Sequence, residues 1–164
     1  MFEIRKDDLS GEPTRALLAL HLSGMHANSP PESVFALDLS GLQSPDVTVW
    51  TARRDARVAS VGALKRLADG NCEVKSMRTH PDFLRMGAGA ALLETIITDA
   101  RTQGARRLSL ETGSGRAFDS ALALYRRHGF INGDAFGGYE QSDFNQFLHL
   151  DLGSVDKLTH PQSD

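Results

Sequence analysis

The sequence predicts an α+β domain in three layers: a mixed, mostly antiparallel central sheet with helices on both faces. Three observations carry this expectation. Val47–Thr51, Val58–Leu67 and Cys72–Thr79 are β-rich runs separated only by the turn segments Arg53-Arg54-Asp55-Ala56 and Asp69-Gly70-Asn71, so they read as antiparallel neighbours. A helical run over Gly87–Gln103 then leads to the β-rich Leu108–Thr112, and a helical crossover makes that strand parallel to Cys72–Thr79. Further helical runs flank these elements and supply cover for both faces of the sheet.

In chain order, Phe2–Arg5 reads as a short strand. Pro13 suits the first turn of a helix, which Leu17, Leu18, Leu20, Leu22 and Met25 carry to Ala27 before Asn28-Ser29-Pro30-Pro31 breaks it. A short second helix is expected over Ser33–Leu39, with Ser33 as cap and Gly41 as stop. In the Gly87–Gln103 helix, Ala88, Leu92, Ile96 and Ala100 recur at helical spacing and Gly104 ends it. Phe118–His128 is helical and terminated by Gly129, and Phe144–Leu152 alternates as a last strand. Residues 1–152 are thus expected to form one domain and 153–164 a polar tail.

At 164 residues, with 40% hydrophobic and 24% charged residues, the composition is that of a soluble globular protein. A net charge of −3 gives no concentrated basic face for nucleic acid, and no apolar run is long enough to span a bilayer. The opening MFEIRKDDLS lacks an apolar signal segment, so a cytoplasmic location is expected. The single Cys72 excludes an internal disulfide and reads as a buried small hydrophobe. His21 and His26 lie on different faces of the first helix and there is no His-Glu-x-x-His, so no metal is expected. Arg53, Arg54 and Arg57 read as a solvated turn.

The chemistry concentrates between Glu73 and Phe130. Gly87 and Gly89 open a helix, where unpaired N–H groups and the positive dipole end make a site for an anion, most often phosphate. Glu111 follows about twenty residues on, as in a dinucleotide fold, but Leu92 occupies the third glycine position of that fingerprint. The His80–Met86 linker, with Pro81, is also too long for its tight turn.

Leu84-Arg85-Met86-Gly87-Ala88-Gly89, followed by Ala121-Leu122-Ala123-Leu124-Tyr125-Arg126-Arg127-His128-Gly129-Phe130, resembles the two signature segments of the GNAT superfamily of acyl-CoA-dependent N-acyltransferases. Two departures stand out: Leu84 replaces the family's Gln or Arg, with Arg85 adjacent, and Phe118 stands where many members carry Asn. The resemblance implies a GNAT-like fold and transfer of an acetyl group from acetyl-CoA to a primary amine, by direct attack in a ternary complex and without a metal. It implies that Met77, Arg78 and Thr79 line the pantetheine strand, and that Leu84, Arg85, Met86, Gly87, Ala88, Gly89 and Ala90 hold the cofactor's phosphates. The partner would be a small-molecule or peptide amine, with neither nucleic acid nor membrane involved and a homodimer left open.

Two catalytic residues are expected. Glu73 is the first candidate for the base: with Lys75 and Met77 it is expected on one face of its strand, where a carboxylate is costly without a partner or a task. Lys75 could equally pair with it as ordinary structure. Glu111, at the end of the next strand, is the alternative base. Tyr125 matches the family's tyrosine that protonates the leaving thiolate, and a phenol stays protonated at neutral pH. The acceptor is expected between His26–Phe35, with Ser29, Glu32 and Ser33, and Phe136–Phe147, with Tyr139, Glu140 and Asp143. If Glu73 and Tyr125 only pack, the chain would instead be a non-catalytic sensor of acyl-CoA.

Overall fold

The computed structural model describes residues 1–153, so the expectation of a polar tail lies, from residue 154 onward, outside the described residues. Seven strands form one sheet in the order β1-β2-β3-β4-β5-β7-β6. These are β1 (Glu3–Lys6), β2 (Val47–Arg54), β3 (Arg57–Arg66), β4 (Cys72–Thr79), β5 (Arg107–Thr112), β6 (Ile131–Gly133) and β7 (Gln146–Asp151). Only β4 and β5 run parallel; every other neighbouring pair is antiparallel. Helices α1 (Glu12–Asn28) and α2 (Leu39–Leu42) cover one face, and α3 (Ala88–Thr102) and α4 (Asp119–Arg127) the other. This is the fold class read from the sequence.

The larger core lies under α3 and α4, where Leu92, Leu93, Ile96 and Ala100 meet Leu64, Val74, Leu108, Leu110 and Leu148. The smaller lies under α1, where Leu17 and Leu18 meet Val49, Val61 and Ala63. Cys72 is fully buried in the first of these, and burial raises its thiol pKa. It therefore packs as a small hydrophobe.

Several local expectations are corrected. Ser33–Leu39 is not a helix: Pro31–Ser33 makes one 3₁₀ turn, and the short helix begins at Leu39. Asp38 caps it, its Oδ1 accepting from the Gly41 N–H at 2.9 Å, so Gly41 lies inside the helix it was expected to stop. The last strand starts at Gln146 rather than Phe144, and α4 follows a 3₁₀ turn at Arg116–Phe118. The arginines of the β2–β3 hairpin are not merely solvated. Arg53 pairs with Asp7 at 2.8 Å, Arg57 with Asp82 at 2.7 Å, and Arg54 stacks over Phe2.

The hairpin itself carries strain. Arg54 pairs with Arg57, leaving a two-residue loop in which Asp55 and Ala56 both adopt positive φ, 51° and 66°. Such turns favour Asn-Gly or Asp-Gly, because a β-carbon in the left-handed region costs roughly 1–2 kcal/mol. Ala56→Gly is expected to raise stability by about 1 kcal/mol, less what glycine adds to the entropy of the unfolded chain. A urea titration with a lower midpoint for the variant would contradict this.

One irregularity positions the site. Across β3 and β4, Ala63 faces Lys75 and Val61 faces Arg78, so Ser76 and Met77 together oppose Gly62. This is a bulge, with Ser76 at φ 59°. The extra residue reverses the alternation of side chains. Met77 therefore does not share a face with Glu73 and Lys75 as expected: its thioether packs toward α3, in the space left by Gly62 beside Leu92 and Ile96. Arg78 is turned to the α1 face instead, where it meets His21.

Candidate active site

Strands β4 and β5 pair only at Cys72–Leu108 and Glu73–Ser109, and then diverge. The opening becomes a cavity of ≈440 Å³ that reaches from the start of α3, at Arg85, Gly87 and Gly89, to α1 and the following loop, at His21, Gly24 and Phe35. Glu73, Lys75, Glu111 and Tyr125 line it between these ends. Of the residues expected to hold a cofactor, Met77, Arg78, Thr79, Leu84, Arg85, Gly87, Ala88, Gly89 and Ala90 all line this cavity. Met86 does not; it is exposed, with its sulfur 3.8 Å from an Arg54 nitrogen.

The start of α3 is built for close approach. Gly87 precedes the helix at φ 88°, in the left-handed region, with open space where a side chain would stand. No side chain caps the helix, so its first N–H groups are left for water or a ligand. At Gly89 a β-carbon would already touch Leu124 and Thr79 at 3.4 Å, so a longer side chain has no room behind the loop.

In the middle of the cavity, Glu73 and Lys75 are both buried and 3.4 Å apart. The Tyr139 hydroxyl donates to the same Glu73 oxygen at 2.5 Å and lies 2.7 Å from Lys75 Nζ, which also donates to the Phe35 carbonyl at 3.1 Å. The pairing foreseen between Glu73 and Lys75 is thus present. Tyr139 and Phe35 complete it, with their rings packed edge to face. Burial and the Glu73 charge push the Tyr139 phenol upward, so it stays protonated and donates.

Glu111 has a different environment. Its carboxyl is pushed up to about 7, chiefly by burial and further by the Glu73 charge, while Lys75 and the Asn145 amide oppose the shift. It is therefore partly protonated at neutral pH. Tyr125 is buried against Phe130, and burial alone raises its phenol well above the ordinary tyrosine value. Its hydroxyl has no protein partner among the described residues. His21, also buried, is lowered to about 4 by burial first, then by Arg78 and Lys75.

Comparison with known proteins decides the family. Residues 14–130 match the Acetyltransferase (GNAT) family. The chain is a GNAT acyltransferase. It is 43% identical over 158 residues to the uncharacterized N-acetyltransferase YedL of Escherichia coli K12, covering 96% of this chain and 99% of that one. It is also 37% identical over 124 residues to the IAA acetyltransferase of Azospirillum brasilense, covering 75% and 80%. A Klebsiella pneumoniae structure assigned as an acyl-CoA N-acyltransferase superposes with a TM-score of 0.79 at 25% identity, over 93% of this chain and 99% of that one.

Three features of the site were beyond sequence reading: Tyr139 on Glu73, Phe35 on Lys75, and His21 on Arg78. Each joins segments 40 or more residues apart. His26, proposed for the acceptor region, does not line the cavity, whereas Met25 and Asn28 do.

Proposed function

We propose that this protein transfers an acetyl group from acetyl-CoA to the primary amine of a small acceptor, by direct attack in a ternary complex. The observation that carries this reading is the cavity through the β4–β5 opening, which joins an uncapped helix start to a buried carboxylate. The residues fit the donor: the free N–H groups of Ala88, Gly89 and Ala90, together with Arg85, suit its pyrophosphate, and the bulged strand suits an extended pantetheine arm. When bound, acetyl-CoA supplies an acyl carbon whose C–S bond breaks as the C–N bond to the amine forms. Direct transfer is favoured because the only cysteine, Cys72, is sealed in the core and cannot carry the acyl group.

An amine near lysine in basicity must lose a proton to attack. Glu111 is the better base, since a carboxyl at about 7 is matched to neutral conditions and Glu73 is already engaged by Tyr139 and Lys75. Glu73 then holds Lys75 in place and raises Glu111 through its charge. Tyr125 keeps its proton, so full transfer to a thiolate would be uphill. Its O–H serves as a hydrogen-bond donor to charge developing on the leaving sulfur.

The test is thiol release with acetyl-CoA over a panel of amines, together with calorimetric titration of CoA. Gly89→Glu, which adds volume and negative charge at the α3 start, is expected to weaken CoA binding at least about tenfold, or 1.4 kcal/mol. Unchanged affinity in a folded Gly89→Glu would remove the site. Tight CoA binding by wild type without transfer to any amine would leave a binding module.

A further inference from the structure

Arg78 is the unexplained charge in this cavity. Its guanidinium lies half-buried against α1, Nε donating to His21 Nδ1 at 3.2 Å and Nη2 to the His21 carbonyl at 3.4 Å. Three of its five N–H donors remain without a partner among the described residues, and no carboxylate lies within ion-pair distance. His21 offers no compensating charge, because it accepts from Arg78 through a neutral ring. The neighbouring Glu73 is occupied by Lys75 and Tyr139.

Room has been made for this cation. Gly24 lies within α1, where glycine costs about 1 kcal/mol relative to alanine. A β-carbon there would stand 2.6 Å from Arg78 Nη2 and 3.3 Å from Cζ. The gap in the helix is filled by the guanidinium. A partly desolvated guanidinium with a free planar fork is unfavourable until it meets a carboxylate, which it binds through two parallel hydrogen bonds.

Resting on the acyl-transfer reading above, we propose that the acceptor is an amine that also carries a carboxylate, an α-amino acid or a close analogue, with its carboxylate held by Arg78 and its amine presented to Glu111. Met25 and Phe35, which also line the cavity, favour an apolar side chain between the two. The sequence left the acceptor as a small-molecule or peptide amine; the cavity wall argues for a zwitterion.

The experiment compares matched acceptors with and without the carboxylate: L-phenylalanine against phenethylamine, and L-leucine against isopentylamine. Wild type is expected to favour the amino acid in kcat/KM by at least tenfold. Arg78→Gln should collapse that ratio toward one, chiefly through KM for the amino acid. Gly24→Ala, which displaces the guanidinium while improving helix propensity, should reduce the ratio in a chain that keeps its fold. Equal use of both partners by wild type, or preference for the decarboxylated amine, overturns the carboxylate site and leaves acyl transfer standing. A ratio retained in a folded Arg78→Gln variant overturns it as well. No turnover of any amine would overturn both.

Discussion

Tyr125→Phe is expected to lower turnover about a hundredfold while leaving CoA affinity and melting temperature close to wild type. The ring packs against Phe130 within the main core, and that packing survives the substitution. The hydroxyl makes no hydrogen bond to the described protein, so its removal leaves no orphaned partner in the free enzyme. The whole effect should therefore fall on the reaction. Stopped-flow thiol release with saturating acceptor checks this, and a variant turning over at the wild-type rate would remove Tyr125 from the mechanism.

The second large effect belongs to Glu111. Glu111→Gln should reduce kcat/KM about a hundredfold at pH 7, with part of the loss recovered at high pH as the amine deprotonates unaided. In wild type the rate should rise through an apparent pKa of about 7, the value set by burial and by Glu73. Glu73→Gln supplies the control. Removing its negative charge takes away one of the influences that raise Glu111, so the acid limb of the profile should move to lower pH. The same change leaves buried Lys75 without its counter-charge and should cost about 3 kcal/mol of stability, at the lower end for a broken buried pair. Linkage gives a further sign. The folded pKa of Glu111 lies above the ordinary value of 4.5, so the folded state holds the extra proton between 4.5 and about 7. Its contribution to stability falls as pH rises through that window. Glu111→Gln should therefore flatten the decline in melting temperature over that range, and an unaltered slope would argue that the carboxyl is not buried in solution.

What could be read in advance was what is local in the chain. The glycines that open α3 and the helix ending before Gly129 sit in short segments whose conformation depends on near neighbours, and the hairpins from Val47 to Thr79 are set by adjacent turns. What escaped depends on distant partners or small irregularities. The bulge at Ser76 overrode strict alternation and sent Met77 and Arg78 to unexpected faces. Asp38 captured the Gly41 N–H and moved a helix start that Ser33 was expected to mark. Strand β6 is three exposed residues, Ile131–Gly133, with no pattern of its own; only pairing with β7 makes it a strand. That Glu73 is already engaged by Tyr139, 66 residues away, depends on a contact between distant segments.

The pairing of β4 with β5 joins the two sides of the sheet along a seam only two residue pairs long. Strands β1 to β4 carry Arg78 and Lys75, whereas β5, β7 and β6 carry Glu111 and the loop that delivers Tyr139. Small tilts about this seam would alter the distance from Arg78, the proposed anchor of an acceptor, to Glu111, the proposed base, and would strain the Tyr139–Glu73 hydrogen bond that crosses it. Acceptor length would then be selected by the stiffness of the seam as well as by the residues that face the opening.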